Sequence, residues 1–457
     1  MIEVSFAGDR EATAPLTWGQ RSMWNAIQQI APGDNLMNVG RQLVVPARCR
    51  LEPPAVAAAL GQLIERHESL RTLIRPGTPE AGREEPAQVL VRTGQLGVEV
   101  LHCEPADAAA LAVETEKRLF ATRFGYASEF PIRAALVVAG GRVDRVVLMF
   151  CHIATDGPGA DVVVRDLRLL LVRGQLGPRT APQPLDLARW QGSVEGLERT
   201  RASLSYWSEL FRRIPPTMLA PAGPVQVPRH QRARLTSAAL QAASGIVAAR
   251  LRVSTGTVLL AATVALIAER TGHPTVAISM VINNRFQPDH HDVVSNLAQL
   301  GLLAVDVDDA PPFPELVLRV RQAALPGTRQ AYHDPTVVDP ALDAIGRERG
   351  TPIHPYCCFN DGRLAGDAAA VGAVGVVPTV AAMRAALPST SVTWPGHPER
   401  MHCRFCMEVY SEPGAVVLSV TADTEYLPHD EIERFLRACE RLVVTAAEGP
   451  DNHPAGD

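Results

Sequence analysis

Residues 142–167, RVDRVVLMFCHIATDGPGADVVVRDL, constrain this chain more than any other stretch. The apolar residues of RVVLMFC run on without alternation, so the strand they form is expected to be buried on both faces. HIATDGPG must then be a turn, because Gly157, Pro158 and Gly159 cannot continue a strand. From Gly159 the pattern is helical through ADVVVRDLRLLLVRG, with Val163, Leu167, Leu170 and Leu171 on one face. His152 thus stands at the exit of a buried strand, beside the open N–H groups of a helix start. Partial desolvation and the positive helix end both favour its neutral imidazole, which makes it a candidate proton acceptor. Asp156 could fix the imidazole tautomer, or pair with an arginine and hold the loop rigid. Gly157 permits close backbone approach and a dihedral other residues avoid, which would let its N–H face a substrate oxygen. On these residues alone, a histidine satisfied by a loop aspartate is the commoner state, since His-x-x-x-Asp matches are frequent in long chains.

A chain of 457 residues exceeds the size at which one core keeps growing, so two domains are expected. Lys and Arg number 44 against 49 Asp and Glu, and no basic block stands out, so a polyanion such as DNA or RNA is not a favoured partner. MIEVSFAGDREATAPLTWGQ lacks the basic start and continuous apolar run of a secretory signal. No apolar run reaches membrane-spanning length, and the chain reads as cytoplasmic with no membrane partner. The eight cysteines are dilute. HCRFC, with His402, Cys403 and Cys406, offers half of a zinc site, but the nearest second pair, Cys357 and Cys358, is adjacent rather than spaced. Strand cysteines that alternate faces or pack as small apolar groups are the expectation, with no metal.

Along the chain, PPAVAAALGQLIERHESLRTLI reads as an amphipathic helix running into a short strand near Leu70–Ile74. AALVVAG and RVDRVVLMFCH read as two strands joined at the paired glycines of GGRVD. GQLGPRTAPQPLDLARW breaks both periods and is the best linker candidate, which puts the main boundary near residues 174–190 and the domains at 1–180 and 190–457. Beyond it, helices are expected at RASLSYWSELFRRI, GTVLLAATVALIAERTG, PFPELVLRVRQAAL and HDEIERFLRACERLVVTA, and strands at TVAISMVI, LGLLAVDV and AVVLSVTAD. Each half mixes strands and helices without a βαβ repeat or a Gly-rich phosphate loop, which points to α+β lobes.

Five motifs in order give the chain a family resemblance. PLTWGQRSMW carries Gln20, Arg21 and Trp24; RHESLRT spans residues 66–72; CHIATDG spans residues 151–157; SYWSEL follows the linker; and SMVINNRF ends on Arg285. In this set the chain resembles the condensation-domain superfamily of nonribosomal peptide synthesis, whose core pattern is His-His-x-x-x-Asp-Gly. The resemblance implies two chloramphenicol-acetyltransferase-like lobes in a V-shaped pseudo-dimer with a central tunnel, the histidine midway along it. It implies no tightly bound cofactor. The donor would ride on the phosphopantetheine arm of an acyl or peptidyl carrier protein in trans, or on CoA, and the acceptor would be a small-molecule amine or alcohol. The protein would act as a monomer.

By the same resemblance His152 is the catalytic histidine, positioning or deprotonating the acceptor for attack on a thioester carbonyl. The Gly157 N–H would face the developing oxyanion. Asp156 would be structural, salt-bridged to Arg285, with Arg71, Arg66 and Cys151 as further support of the loop. Two departures stand out. Cys151 replaces the first histidine of the pattern, and INN before Arg285 and VVSNLAQLGLL after it, with Gln299 near the expected Asn, differ from the usual sequence. A thiolate at Cys151 is itself a candidate nucleophile, ranked below His152. The resulting expectation is a free-standing acyltransferase of natural-product biosynthesis that forms an amide or ester. The alternatives are a non-catalytic module that recruits a carrier protein or partner enzyme, and an acyl-CoA-dependent acyltransferase.

Overall fold

In the computed structural model, residues 1–77, 85–363, 378–396, 398–401 and 403–449 are described, and they divide into two compact units. The first unit comprises Met1–Glu198 and Asn283–Gln299; the second comprises Arg199–Ile282 and the chain from Leu300 onward.

The strands of the first unit are β1 (Ile2–Ala7), β2 (Ala12–Pro15), β3 (Val39–Val44), β4 (Thr72–Arg75), β5 (Ala87–Leu90), β6 (Thr93–Cys103), β7 (Ile132–Ala139) and β8 (Arg142–Phe150). Five of them form a sheet in the order β1-β6-β7-β8-β3, and β2, β5 and β4 form a small second sheet. Its helices include α1 (Trp18–Ile30), α2 (Pro53–Arg66), α3 (Ala108–Phe120), α4 (Gly157–Arg173) and α5 (Pro184–Gln191). The unbroken apolar run of β8 is split by the pleat between two cores. Val146, Leu148 and Phe150 pack with Leu60, Leu63 and Ile64 of α2 and with Val163 and Leu167 of α4. Val147 and Met149 pack on the other face with Trp24 and Ile27 of α1 and with Ala112 and Leu119 of α3. Each such fully buried side chain contributes about 1.5–3 kcal/mol relative to exposure. Gly140 and Gly141, at φ 55° and 74°, close the β7–β8 hairpin in a conformation that a Cβ disfavours at both positions.

Two expectations change here. β6 and β7 pair in parallel with α3 between them, so the first unit does contain a βαβ crossover. TGQLGVEVLHC hides its strand behind two glycines and a scatter of polar residues. Within the stretch read as a linker, residues 184–191 form α5, started by Pro184 at its first position and a reciprocal cap between Gln183 and Asp186. The chain leaves the first unit inside α6 (Val194–Arg213).

The second unit is built on one seven-stranded sheet. Its strands are β9 (His230–Ser237), β10 (Thr275–Ile282), β11 (Gln299–Asp306), β12 (Cys357–Asp361), β13 (Ser391–Thr393), β14 (Phe405–Glu412) and β15 (Ala415–Asp423), in the order β11-β10-β12-β14-β15-β9-β13. Here too β10–β12 and β12–β14 are parallel. The core joins this sheet to α7 (Ala238–Leu251), α8 (Thr255–Thr271) and the helix His429–Glu448. Among the described residues, no single helix is long and apolar enough to cross a membrane.

Candidate active site

β8 ends at Phe150 and α4 begins at Gly157, so residues 151–156 make the turn that the glycines and proline demanded. His152 is half-buried, and its Nδ1 lies 3.1 Å from the Thr155 carbonyl oxygen. A carbonyl only accepts, so Nδ1 carries the proton and Nε2 is left with the ring lone pair. Burial lowers the imidazole pKa from its ordinary value, the Asp156 carboxylate opposes that, and the Arg41 guanidinium adds to it. The ring is therefore neutral near pH 7. The backbone at the same residue is held as well, since Asn296 Nδ2 donates to the His152 carbonyl at 3.0 Å.

Of the two roles open to Asp156, the geometry gives it the second. Asp156 is the N-cap of α4, and its Oδ1 accepts the Gly159 N–H at 2.9 Å and a bond from Arg285 Nη2. Its Oδ2 accepts the Leu297 N–H at 3.1 Å. Both side chains of the Asp156–Arg285 pair are almost fully buried. The tautomer of His152 is set by the Thr155 carbonyl.

Gly157 opens α4, and its φ lies outside the left-handed region, so the unusual dihedral expected there does not occur. An added Cβ would meet only Arg41 Nη2, at 3.4 Å. What distinguishes Gly157 is its donor. Pro158 has no N–H, Gly159 donates to Asp156 Oδ1, and Ala160 donates to the Asp156 carbonyl at 2.9 Å. Among the described residues no acceptor takes the Gly157 N–H, and its carbonyl accepts from Arg41 Nη2 at 3.0 Å.

RHESLRT supports the loop by different residues from those expected. Arg71 is buried away from it: Nη1 donates to the carbonyls of Arg10 and Val91, and Nη2 faces Glu68 at 3.9 Å. Ser69 is the residue that reaches the loop, its hydroxyl donating to the Ala154 carbonyl. Arg66 and His67 hold the helix beyond it, meeting Asp166 of α4 at 3.2 and 3.1 Å. Cys151 is buried in the apolar cluster of α1 and α3, and burial pushes its thiol up to about 12. A thiol so held is not a nucleophile at neutral pH. Cys151 does brace the turn through its carbonyl, which accepts the Ala154 N–H at 2.9 Å.

The altered stretch around Arg285 has its own geometry. Asn283 Oδ1 accepts the Arg285 N–H at 3.1 Å, and Asn284 adopts φ 54° while its Nδ2 donates to the Leu297 carbonyl at 2.8 Å. Gln299 is buried and donates to Ser22 Oγ of α1 at 3.2 Å. Asn296, Ser69, Arg41 and Gly159 were not singled out from the sequence. Gly159 carried a signal as the last glycine of DGPG, Ser69 lies within RHESLRT and Asn296 within VVSNLAQLGLL, whereas Arg41 carried none. Elsewhere, Cys403 and Cys406 do not simply alternate faces, because their sulfurs and that of Cys358 come within 4.8 Å of one another, while His402 lies outside the described residues.

Comparison with known proteins places this geometry. A family model described as "Condensation domain" matches residues 10–337. Similar sequences include the isonitrile lipopeptide synthase of Mycobacterium tuberculosis, 28% identical over 369 residues covering 76% of this chain and 14% of that protein. The phosphinothricin tripeptide synthetase PhsC of Streptomyces viridochromogenes is 28% identical over 333 residues, 69% of this chain and 30% of that protein. The chain thus spans less than a third of either relative's length. Among solved structures, a condensation domain mediating chain release from the enacyloxin polyketide synthase superposes with a TM-score of 0.71 at 14% identity, covering 98% of this chain and 86% of that one. The X-domain from teicoplanin biosynthesis superposes at 0.68 with 18% identity, covering 97% of each. The mixed sheets and helices described above are thus those of the chloramphenicol-acetyltransferase-like condensation fold. With the family model covering well over half its length, the chain belongs to the condensation-domain family.

Proposed function

We propose that this chain is an acyltransferase that joins an acyl or aminoacyl thioester, borne on the pantetheine arm of a carrier protein, to an amine or hydroxyl acceptor. The observation that carries this reading is the donated bond from His152 Nδ1 to the Thr155 carbonyl, which leaves a basic Nε2 on a ring kept neutral by burial. In the reaction the acceptor nitrogen or oxygen attacks the thioester carbonyl carbon as Nε2 takes its proton. The carbonyl oxygen becomes an oxyanion, for which the uncommitted Gly157 N–H is the donor. The C–S bond then breaks and the imidazolium returns the proton to the leaving sulfur, so the products are an amide or ester and a thiol. Asp156, Arg285, Asn296 and Ser69 position the loop and do not touch the reacting atoms.

Membership of the condensation-domain family and the peptide-synthetase names of the relatives support this class of donor. A starter condensation domain of rhizomide synthetase has been solved with C8-CoA, which motivates a CoA arm in the test. Acyl-carrier-protein thioesters and the matching acyl-CoA would be supplied with amine and alcohol acceptors, and product compared between wild type and His152→Ala. Loss of about a hundredfold or more in turnover, with both proteins equally folded, is expected. Equal product from both removes His152 from the mechanism. A wild type that forms no product with any donor but binds a carrier protein tightly makes recruitment the function.

A further inference from the structure

Outside the His152 loop, three sulfurs meet on the sheet of the second unit. β12 and β14 pair in parallel with Cys358 directly opposite Cys406. Their neighbours Cys357, Phe405 and Met407 enter the core, so the pleat turns Cys358 and Cys406 to the other face. The Tyr356 carbonyl accepts N–H bonds from both Arg404 and Phe405, at 2.9 and 3.1 Å, which ties the entry of β14 to the start of β12 and holds Cys403 beside the pair. The Sγ atoms of Cys358, Cys403 and Cys406 all lie within 4.8 Å of one another. No disulfide joins any of the eight cysteines.

We propose that Cys358, Cys403 and Cys406 form a site for one thiophilic divalent cation, zinc in the first instance, that clips β12, β14 and the turn before β14 together. Zinc–thiolate bonds are about 2.3 Å, which places two sulfurs of a tetrahedral site about 3.8 Å apart. The three sulfurs here lie within 4.8 Å of one another, at most about 1 Å beyond that spacing. Mutual proximity of all three is what a cation requires; a disulfide would need two and leave the third over. An all-sulfur donor set selects zinc, cadmium or copper(I) over magnesium and calcium. On binding, three thiol protons pass to water, three metal–sulfur bonds form and no electron is transferred. Among the described residues the cluster supplies three ligands, Cys358, Cys403 and Cys406.

The test uses the whole chain, reduced and stripped with a chelator, then titrated with Co²⁺ alone and Zn²⁺ alone. One Co²⁺ per chain is expected, with an intense thiolate-to-cobalt charge-transfer band that Zn²⁺ bleaches, and a melting midpoint that rises with Zn²⁺. Cys403→Ser and Cys406→Ser should each weaken binding about tenfold or more, while Cys103→Ser, outside the cluster, leaves it unchanged. Far-UV circular dichroism establishes that each variant is folded. Absence of the band in a chain with all thiols reduced overturns the proposal. So does a band that survives in both Cys403→Ser and Cys406→Ser, or recovery of a Cys403–Cys406 disulfide in place of metal uptake.

Discussion

At Gly159 an added Cβ would stand 2.2 Å from Thr155 Oγ1, 3.1 Å from Arg285 Nη2 and 3.2 Å from Asp156 Oδ1. Thr155 is fully buried and β-branched, so it cannot swing clear. Gly159→Ala should therefore cost about 1–3 kcal/mol of stability by overpacking and loosen the loop that presents His152. Denaturant unfolding and turnover, measured on the same preparation, check both effects; an unchanged midpoint with full activity would show that the turn accommodates a methyl group at residue 159. Gly157→Ala meets one side-chain atom at 3.4 Å and should be milder for stability. The sequence made Gly157 the conspicuous glycine because it sits in the motif. Which glycine has neighbours too close for a methyl group depends on how the turn folds Thr155 back against α4, with Arg285 closing the far side.

The strap formed by Asn283–Gln299 is the element that most shapes the site. It brings Arg285 and the Leu297 N–H to Asp156 and brings Asn296 to the His152 carbonyl. It also lies against α1, where a Cβ on Gly19 would be 2.1 Å from the Asn296 carbonyl oxygen. Arg285→Ala would leave the Asp156 carboxylate buried without its cation, at about 3–5 kcal/mol. Chemical denaturation should report that loss, and an effect under about 1 kcal/mol would mean that Asp156 is solvated and the strap is not held by the pair. The helices and strands that frame the loop were readable from period and turn residues. Of the strap only Arg285 was, because the rest of its grip consists of asparagine amides acting on backbone carbonyls and N–H groups, and backbone groups are the same in every sequence.

For the molecule as a whole, buried histidines set the response to acid. His67 donates from Nε2 to Asp166, and burial lowers its pKa; His333, also buried, is lowered to about 4. Burial lowers His152 too. An unfolded chain takes up protons at these residues near the ordinary value of about 6.5, while the folded chain refuses them. The stability they confer is therefore present above that pH and is lost as pH falls through it. The melting midpoint should drop progressively from about pH 6.5 down toward 4, and His333→Gln should blunt the drop; a flat midpoint over that range would show that these rings stay solvated. The sequence alone determined the doubly buried strand, the turn after it, the helix that starts at that turn and the candidate histidine. Those follow from local sterics and from apolar periodicity, which the order of residues states directly. Only the tertiary structure decided which nitrogen of His152 is basic, that the Leu297 N–H joins Arg285 at the Asp156 carboxylate, and that Cys358 meets Cys403 and Cys406. The first depends on how the turn aims the Thr155 carbonyl at the ring; the other two depend on groups far apart along the chain that only the packing of the strap and the register of strands bring within reach.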